Sequence, residues 1–138
     1  MNITELKKLL DTPSRLTVLS TVDKSGQPNS AIFGSVQIRE QQLVVGISNN
    51  RSLQNLRQNC SAALMVVIPG ENILNIKGAR LYLKCHEIEN TGSLLEELKA
   101  AAASQVGRAA GRMIQHAVRF DICEYRDLVD MSSLLSAP

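Results

Sequence analysis

The chain has 138 residues, 44% hydrophobic but only 3% aromatic and without Trp, which suits one domain with an aliphatic core. Its net charge of +2 is spread without a basic block, so charge and aromatic content both point away from a nucleic-acid partner. No apolar run approaches the roughly 18–20 residues of a membrane span, and the N-terminal stretch MNITELKKLL lacks a signal peptide's apolar segment.

In chain order, residues 2–10 predict a short amphipathic helix with Ile3, Leu6, Leu9 and Leu10 on one face and Asn2 or Thr4 as cap. Asp11-Thr12-Pro13 ends it, because the residue before proline avoids helical geometry. Residues 15–22 predict a strand, Asp23-Lys24-Ser25-Gly26 a turn, and 28–38 the second strand of a hairpin. A tight connection at Glu40-Gln41 leads to a third strand over 42–47. A short helix follows over 51–58, with Asn59 as its C-cap. The continuous apolar run SAALMVVI at 61–68 predicts a strand buried on both faces, ended by Pro69-Gly70. Residues 73–89 form a long strand candidate with a bend expected at Gly78. Residues 94–115 read as helix, with Gly107 and Gly111 marking close packing of the helix onto the sheet or a helix break. Residues 117–125 alternate as a last strand, and the tail 131–138 is expected to fray.

This order predicts a mainly β domain, a six-stranded antiparallel split barrel with flanking helices, spanning 1–138 as one unit. Closure into a barrel removes apolar edges that an open sheet would expose. Cys60, Cys85 and Cys123 form no C-x-x-C pair or Cys/His cluster, so no metal site is expected; reduced thiols in a cytoplasmic protein are the reading. His86 and His116 are isolated. Arg108, Arg112 and His116 would share one helix stripe at i, i+4, i+8 spacing, and Lys77, Arg80 and Lys84 read as solvent-facing strand charges.

The stretch VVGISNNRSLQNLRQN places a charge and a hydroxyl, Arg51-Ser52, where a helix begins. A helix N-terminus offers unpaired N–H groups and partial positive charge, a ready anion site. Arginine adds a planar fork matched to phosphate oxygens. The plain alternative is a capped helix with a solvated arginine.

The segments LSTVDKSGQPNSAIFGSVQI, LVVGISNNRSLQNLRQNCSAALMVV and IKGARLYL together resemble the FMN-binding split barrels of the pyridoxamine 5'-phosphate oxidase-like family. The resemblance covers roughly residues 15–89 and, more weakly, 117–131. It implies a homodimer with FMN at the subunit interface. Arg51 and Ser52 would hold the phosphate; Asn29, Ser30, Ala31 and Ile32 would lie along the flavin; and Gly46, Ile47, Ser48 and Asn49 would border the ring and ribityl chain. Glycine at 46 would let a flat ring approach the backbone. The C-terminal Arg- and His-containing segment of true pyridoxamine phosphate oxidases has no counterpart in DMSSLLSAP, so that activity is not expected. The function implied is a flavin-dependent reductase of unassigned substrate and unassigned catalytic residues. The alternatives are a non-catalytic FMN-binding or electron-transfer protein, or a deazaflavin- or haem-binding barrel.

Overall fold

The structure, a computed structural model, describes residues 1–130. Helix α1 (Ile3–Leu10) starts at Asn2, whose Oδ1 accepts the Glu5 N–H at 2.9 Å. Strands β1 (Leu16–Val22) and β2 (Pro28–Ile32) form the first hairpin. Its turn is fixed by Asp23, whose Oδ1 accepts from Ser25 N, Ser25 Oγ and Gln27 N, and by Gly26 at φ 92°. Strands β3 (Val36–Arg39) and β4 (Gln42–Ile47) form the second, around Glu40 and Gln41, which both carry positive φ. Helix α2 (Arg51–Gln58), strands β5 (Ser61–Ile68) and β6 (Lys77–Glu89), helices α3 (Ser93–Gln105) and α4 (Arg108–Met113), and strand β7 (His116–Asp127) complete the described chain.

The sheet is antiparallel throughout, in the order β2-β1-β5-β6-β7-β4-β3. It has seven strands, not the six expected. The difference lies at residues 28–38, expected as one strand. The chain bends at Phe33-Gly34-Ser35, so the first half pairs with β1 and the second with β4. Phe33 N donates to Thr17 O and Gly46 N to Ser35 O, both at 2.9 Å, so the bend still bonds to both sides. The two edge strands are thus consecutive in the chain, and this linkage closes the barrel with a split between them.

Arg15 holds that split. Its guanidinium donates to Leu10 O (2.7 Å), Thr17 Oγ1 (2.8 Å), Gly34 O (3.0 Å) and Val36 O (3.3 Å). The Thr17 hydroxyl in turn donates to Phe33 O. One side chain therefore satisfies the end of α1 and carbonyls around the bend, where ladder bonds are interrupted.

The barrel core is aliphatic, as composition requires: Leu19, Leu43, Val45, Ile47, Leu64, Val66, Leu81 and Val118 surround Phe120, with Leu6 and Leu10 of α1 and Leu53 and Leu56 of α2 packed into it. A second cluster sits outside the barrel, where Leu94, Leu95 and Leu98 of α3 and Ile114 cover Val44 and Ala117.

Other expectations shift in detail. The helix expected over 94–115 breaks at Gly107, which adopts φ 135°, while Gly111 packs tightly on α3: a Cβ there would lie 2.8 Å from Lys99 O. His116 consequently belongs to β7, so it shares no helix stripe with Arg108 and Arg112. Residues 73–76 precede β6 rather than extend it. Gly78 is a point of close approach: a Cβ there would lie 1.8 Å from Val66 O. The strand's irregularities fall instead at Tyr82/Leu83 and Cys85/Glu87. Asn59 ends α2 with extended backbone, its Oδ1 accepting from Ser61 N. The tail expected to fray lies outside the described residues.

Candidate functional site

The site is built where β4 runs into α2. Asn50, in extended conformation, is the N-cap: its Oδ1 accepts the Leu53 N–H at 3.0 Å, and its Nδ2 donates to Ser48 Oγ at 3.3 Å. Gln54 N makes the first helical bond, to Asn50 O at 3.1 Å. The amides of Arg51 and Ser52 therefore remain as first-turn donors without a backbone partner among the described residues. The exposed Arg51 side chain makes no hydrogen bond or ion pair among the described residues.

Ser52 takes a different place. It is buried, and its Oγ accepts from Asn29 Nδ2 at 3.3 Å. Asn55, also buried, donates from Nδ2 to Thr21 Oγ1 at 3.1 Å. These two contacts fasten α2 to β2 and β1. Of the pair Arg51-Ser52, the guanidinium faces solvent and the hydroxyl points into the protein.

Asn49 opens a polar chain on the other side. Its Nδ2 donates to Gln115 Oε1 at 2.7 Å, its Oδ1 faces His116 Nε2 at 2.7 Å, and His116 Nδ1 meets the Asn90 amide at 2.6 Å. Partial burial, helped by nearby Arg57, lowers the His116 pKa below its usual value. Both ring nitrogens thus face amide oxygens, Asn49 Oδ1 and Asn90 Oδ1; with the Asn49 nitrogen committed to Gln115, a neutral ring that donates to Asn49 carries its proton on Nε2. The loop 48–50 is thus tied at both ends.

A cleft of about 1070 Å³ opens beside this loop. One wall is the bend region, including Ala31, Ile32 and Gly34; a second is Gly46, Ile47 and Ser48; a third is α3 and α4, through Ala101, Ala102 and Ala110. The small alanine side chains make room, and Ile32, Val106 and Met113 form an exposed apolar rim. Arg15 lines the floor, where burial lowers its pKa against the opposing pull of Asp11.

Of the ten residues expected at the site, Ala31, Ile32, Gly46, Ile47 and Ser48 line the cleft. Asn29, Ser30, Asn49, Arg51 and Ser52 lie outside its walls, with Asn50 bridging cleft and helix. Ile47 offers the cleft neither its side chain, which is in the core, nor a free carbonyl, which accepts from Gln115 N at 3.0 Å. At Gly46 the missing side chain makes room for its own chain, since a Cβ would fall 2.7 Å from Ser35 Oγ and 3.0 Å from Ile114. Sequence reasoning missed Arg15 and the alanine wall. The alanines lie within the segment that reads as helix, and Arg15 reads as the first residue of a strand. No group of three or more His, Cys, Asp or Glu able to hold a metal occurs among the described residues. Nor is any helix there long and apolar enough to cross a membrane.

The family model described as Pyridoxamine 5'-phosphate oxidase matches residues 4–126. No curated protein sequence matches the chain. Among solved structures, the chain is similar to an FMN-binding protein from Syntrophomonas wolfei subsp. wolfei, with TM-score 0.80, 17% identity, and coverage of 92% of this chain and 86% of that one. It is similar to HutZ, the heme storage protein from Vibrio cholerae, with TM-score 0.69, 19% identity, and coverage of 91% and 93%. It also resembles an F420 reductase, with TM-score 0.65, 14% identity, and coverage of 87% and 94%. At these identities the structural matches establish the shared fold.

Proposed function

The chain belongs to the pyridoxamine 5'-phosphate oxidase family, and from that premise we propose that it is an FMN-binding flavoprotein acting as a reductase. The observation that carries this reading is the start of α2: an exposed Arg51 and two first-turn amides, all without a partner among the described residues, next to a cleft of flavin size. That donor set suits a phosphate dianion. Ser52 contributes its backbone N–H, its hydroxyl being engaged by Asn29. The ring would lie along the apolar wall of Ala31 and Ile32, and Ser48 would meet the ribityl hydroxyls. Bound FMN supplies the hydride and electron chemistry; the protein supplies orientation and water exclusion.

The same reading includes a homodimer. On the outer face of the sheet, Ile32, Val18 and Met65 stand in register across β2, β1 and β5 beside exposed Leu16. Ile32 also belongs to the cleft rim. A second copy seated on this face would bury the apolar row and close the cleft from the open side.

The test is the visible spectrum after excess FMN is added and unbound flavin removed. Wild type is expected to retain flavin, and Arg51→Ala to bind it at least about tenfold more weakly, the worth of one charge-assisted phosphate contact. Oxidation of a reduced nicotinamide by the loaded protein then separates a reductase from a binding or electron-transfer protein. A wild type that retains no flavin overturns the reading.

One observation favours a second reading. His86 Nδ1 lies 3.3 Å from Asp121 Oδ2 on an exposed stretch of β6 and β7, so the exposed imidazole would have its other nitrogen to offer a haem iron. Haem binding would produce a Soret band lost in His86→Ala and unaffected in Arg51→Ala.

A further inference from the structure

We infer that Cys60 and Cys85 form a dithiol site that reacts with low-molecular-weight disulfides and closes to a disulfide across β5 and β6. The inference needs neither flavin nor dimer.

Pairing of the two strands carries it. Ala62 is opposite Leu83 and Ser61 opposite Lys84, so the next step of the ladder sets Cys60 opposite Cys85. The backbone confirms that step, with Cys85 N donating to Cys60 O at 2.7 Å. Hydrogen-bonded antiparallel pairs hold their Cα atoms about 5.5 Å apart, inside the roughly 4.4–6.8 Å range of disulfides. Both cysteines fall on the parity of Ala62 and Leu83, the barrel-facing side, so their side chains leave the sheet in the same direction. Burial and the neighbouring Cys60 together raise the Cys85 pKa, which places the Cys60 thiol near that of Cys85. A register shift immediately follows, between Cys85 and Glu87, and gives β6 local freedom to adjust its backbone as a bond forms.

The pair divides the work by exposure. Cys60 is exposed and reachable, while Cys85 is half-buried and held as the thiol. The Cys60 thiolate attacks one sulfur of a small disulfide RSSR, forming a mixed disulfide and expelling RS⁻, which takes up a proton. Cys85 then gives its proton to water, and its thiolate attacks Cys60 Sγ, expelling the second RS⁻, which is protonated in turn. The protein loses two electrons and two protons, and RSSR gains both as two RSH. Cys123, on β7, has no thiol opposite it in the β6–β7 register. The closed bond would pin the junction between α2 and β5 to β6.

Oxidised glutathione is the probe. Reduced protein, freed of reductant, is incubated with it, quenched in acid, alkylated and digested with trypsin. Cleavage after Arg57, Lys77, Lys84 and Lys99 places the two cysteines in separate peptides, 58–77 and 85–99. Wild type and Cys123→Ser are expected to give these two peptides joined as the major oxidised product. Cys85→Ser is expected to stop at a stable glutathione adduct on Cys60, and Cys60→Ser to react slowly or not at all. A wild type that yields only the Cys60 adduct, a bond through Cys123, or unreacted thiols overturns the proposal.

Discussion

Replacing Arg15 by methionine tests the account of barrel closure most directly. Methionine keeps much of the apolar stem and removes all the donors, so the change isolates the hydrogen bonds. Two of them, to Leu10 O at 2.7 Å and Thr17 Oγ1 at 2.8 Å, are short and partly buried. At about 1 kcal/mol net each they set the main loss. Nη2 is shared between Gly34 O at 3.0 Å, which is exposed, and Val36 O at 3.3 Å, and these together add about 1 kcal/mol. The expected destabilisation is therefore about 3 kcal/mol, equivalent to roughly 10 °C in Tm for a domain of this size. Urea unfolding followed by circular dichroism measures it, and an unchanged m-value would show that the loss belongs to the folded state. Arg15→Lys should recover less than half, because one ammonium cannot reach the end of α1 and both sides of the bend together. If methionine costs less than about 0.5 kcal/mol, or lysine matches wild type, Arg15 does not hold the split.

Two further outcomes follow from local geometry. Gly78→Ala forces a Cβ to 1.8 Å from Val66 O at a backbone φ of 149°, so β5 and β6 must separate. A loss of at least about 3 kcal/mol, seen as a collapse in Tm or soluble yield, is expected, against nearly none at exposed Gly34, where nothing lies within 4 Å. For His116 the folded-state pKa lies below the unfolded one, so the unfolded chain binds more protons between the two values. Its contribution to stability is complete above the ordinary histidine value of about 6.5 and declines as pH falls through the folded pKa. Urea midpoints at pH 7.5 and 5 should show a drop in wild type that His116→Gln, which no longer titrates, reduces; an identical drop in both would remove His116 from the account.

Much of the architecture was readable because its causes are local. Asn2, the Asp23–Gly26 turn and the tight connection at Glu40-Gln41 act through hydrogen bonds and dihedral preferences among near neighbours. The bend that turns six expected strands into seven did leave a trace. The barrel-facing positions are odd at Ala31 and Phe33 and even at Val36 and Ile38, a change of parity that a single strand cannot make. Apolar Ile32 conceals it by breaking the alternation, since its side chain lies outside. The break at Gly107 was one of two readings the Gly107/Gly111 spacing allowed; close packing does occur at Gly111, but against α3 rather than the sheet.

The candidate site was legible in its charge and not in its walls. An arginine at a helix start after a strand is a pattern within one short stretch, and that arginine makes no hydrogen bond or ion pair among the described residues. The fate of Ser52 depends on Asn29, 23 positions away, and that of Gly46 on Ser35 and Ile114. The sequence by itself therefore determined the elements, the aliphatic core and the exposed cation, because periodicity, capping and turn geometry act between covalent neighbours. Tertiary structure alone decided the closure through Arg15, the alanine-walled cleft and the facing cysteines. Each is a contact between segments that only the folded sheet brings together, and no local preference encodes which distant residue will arrive opposite.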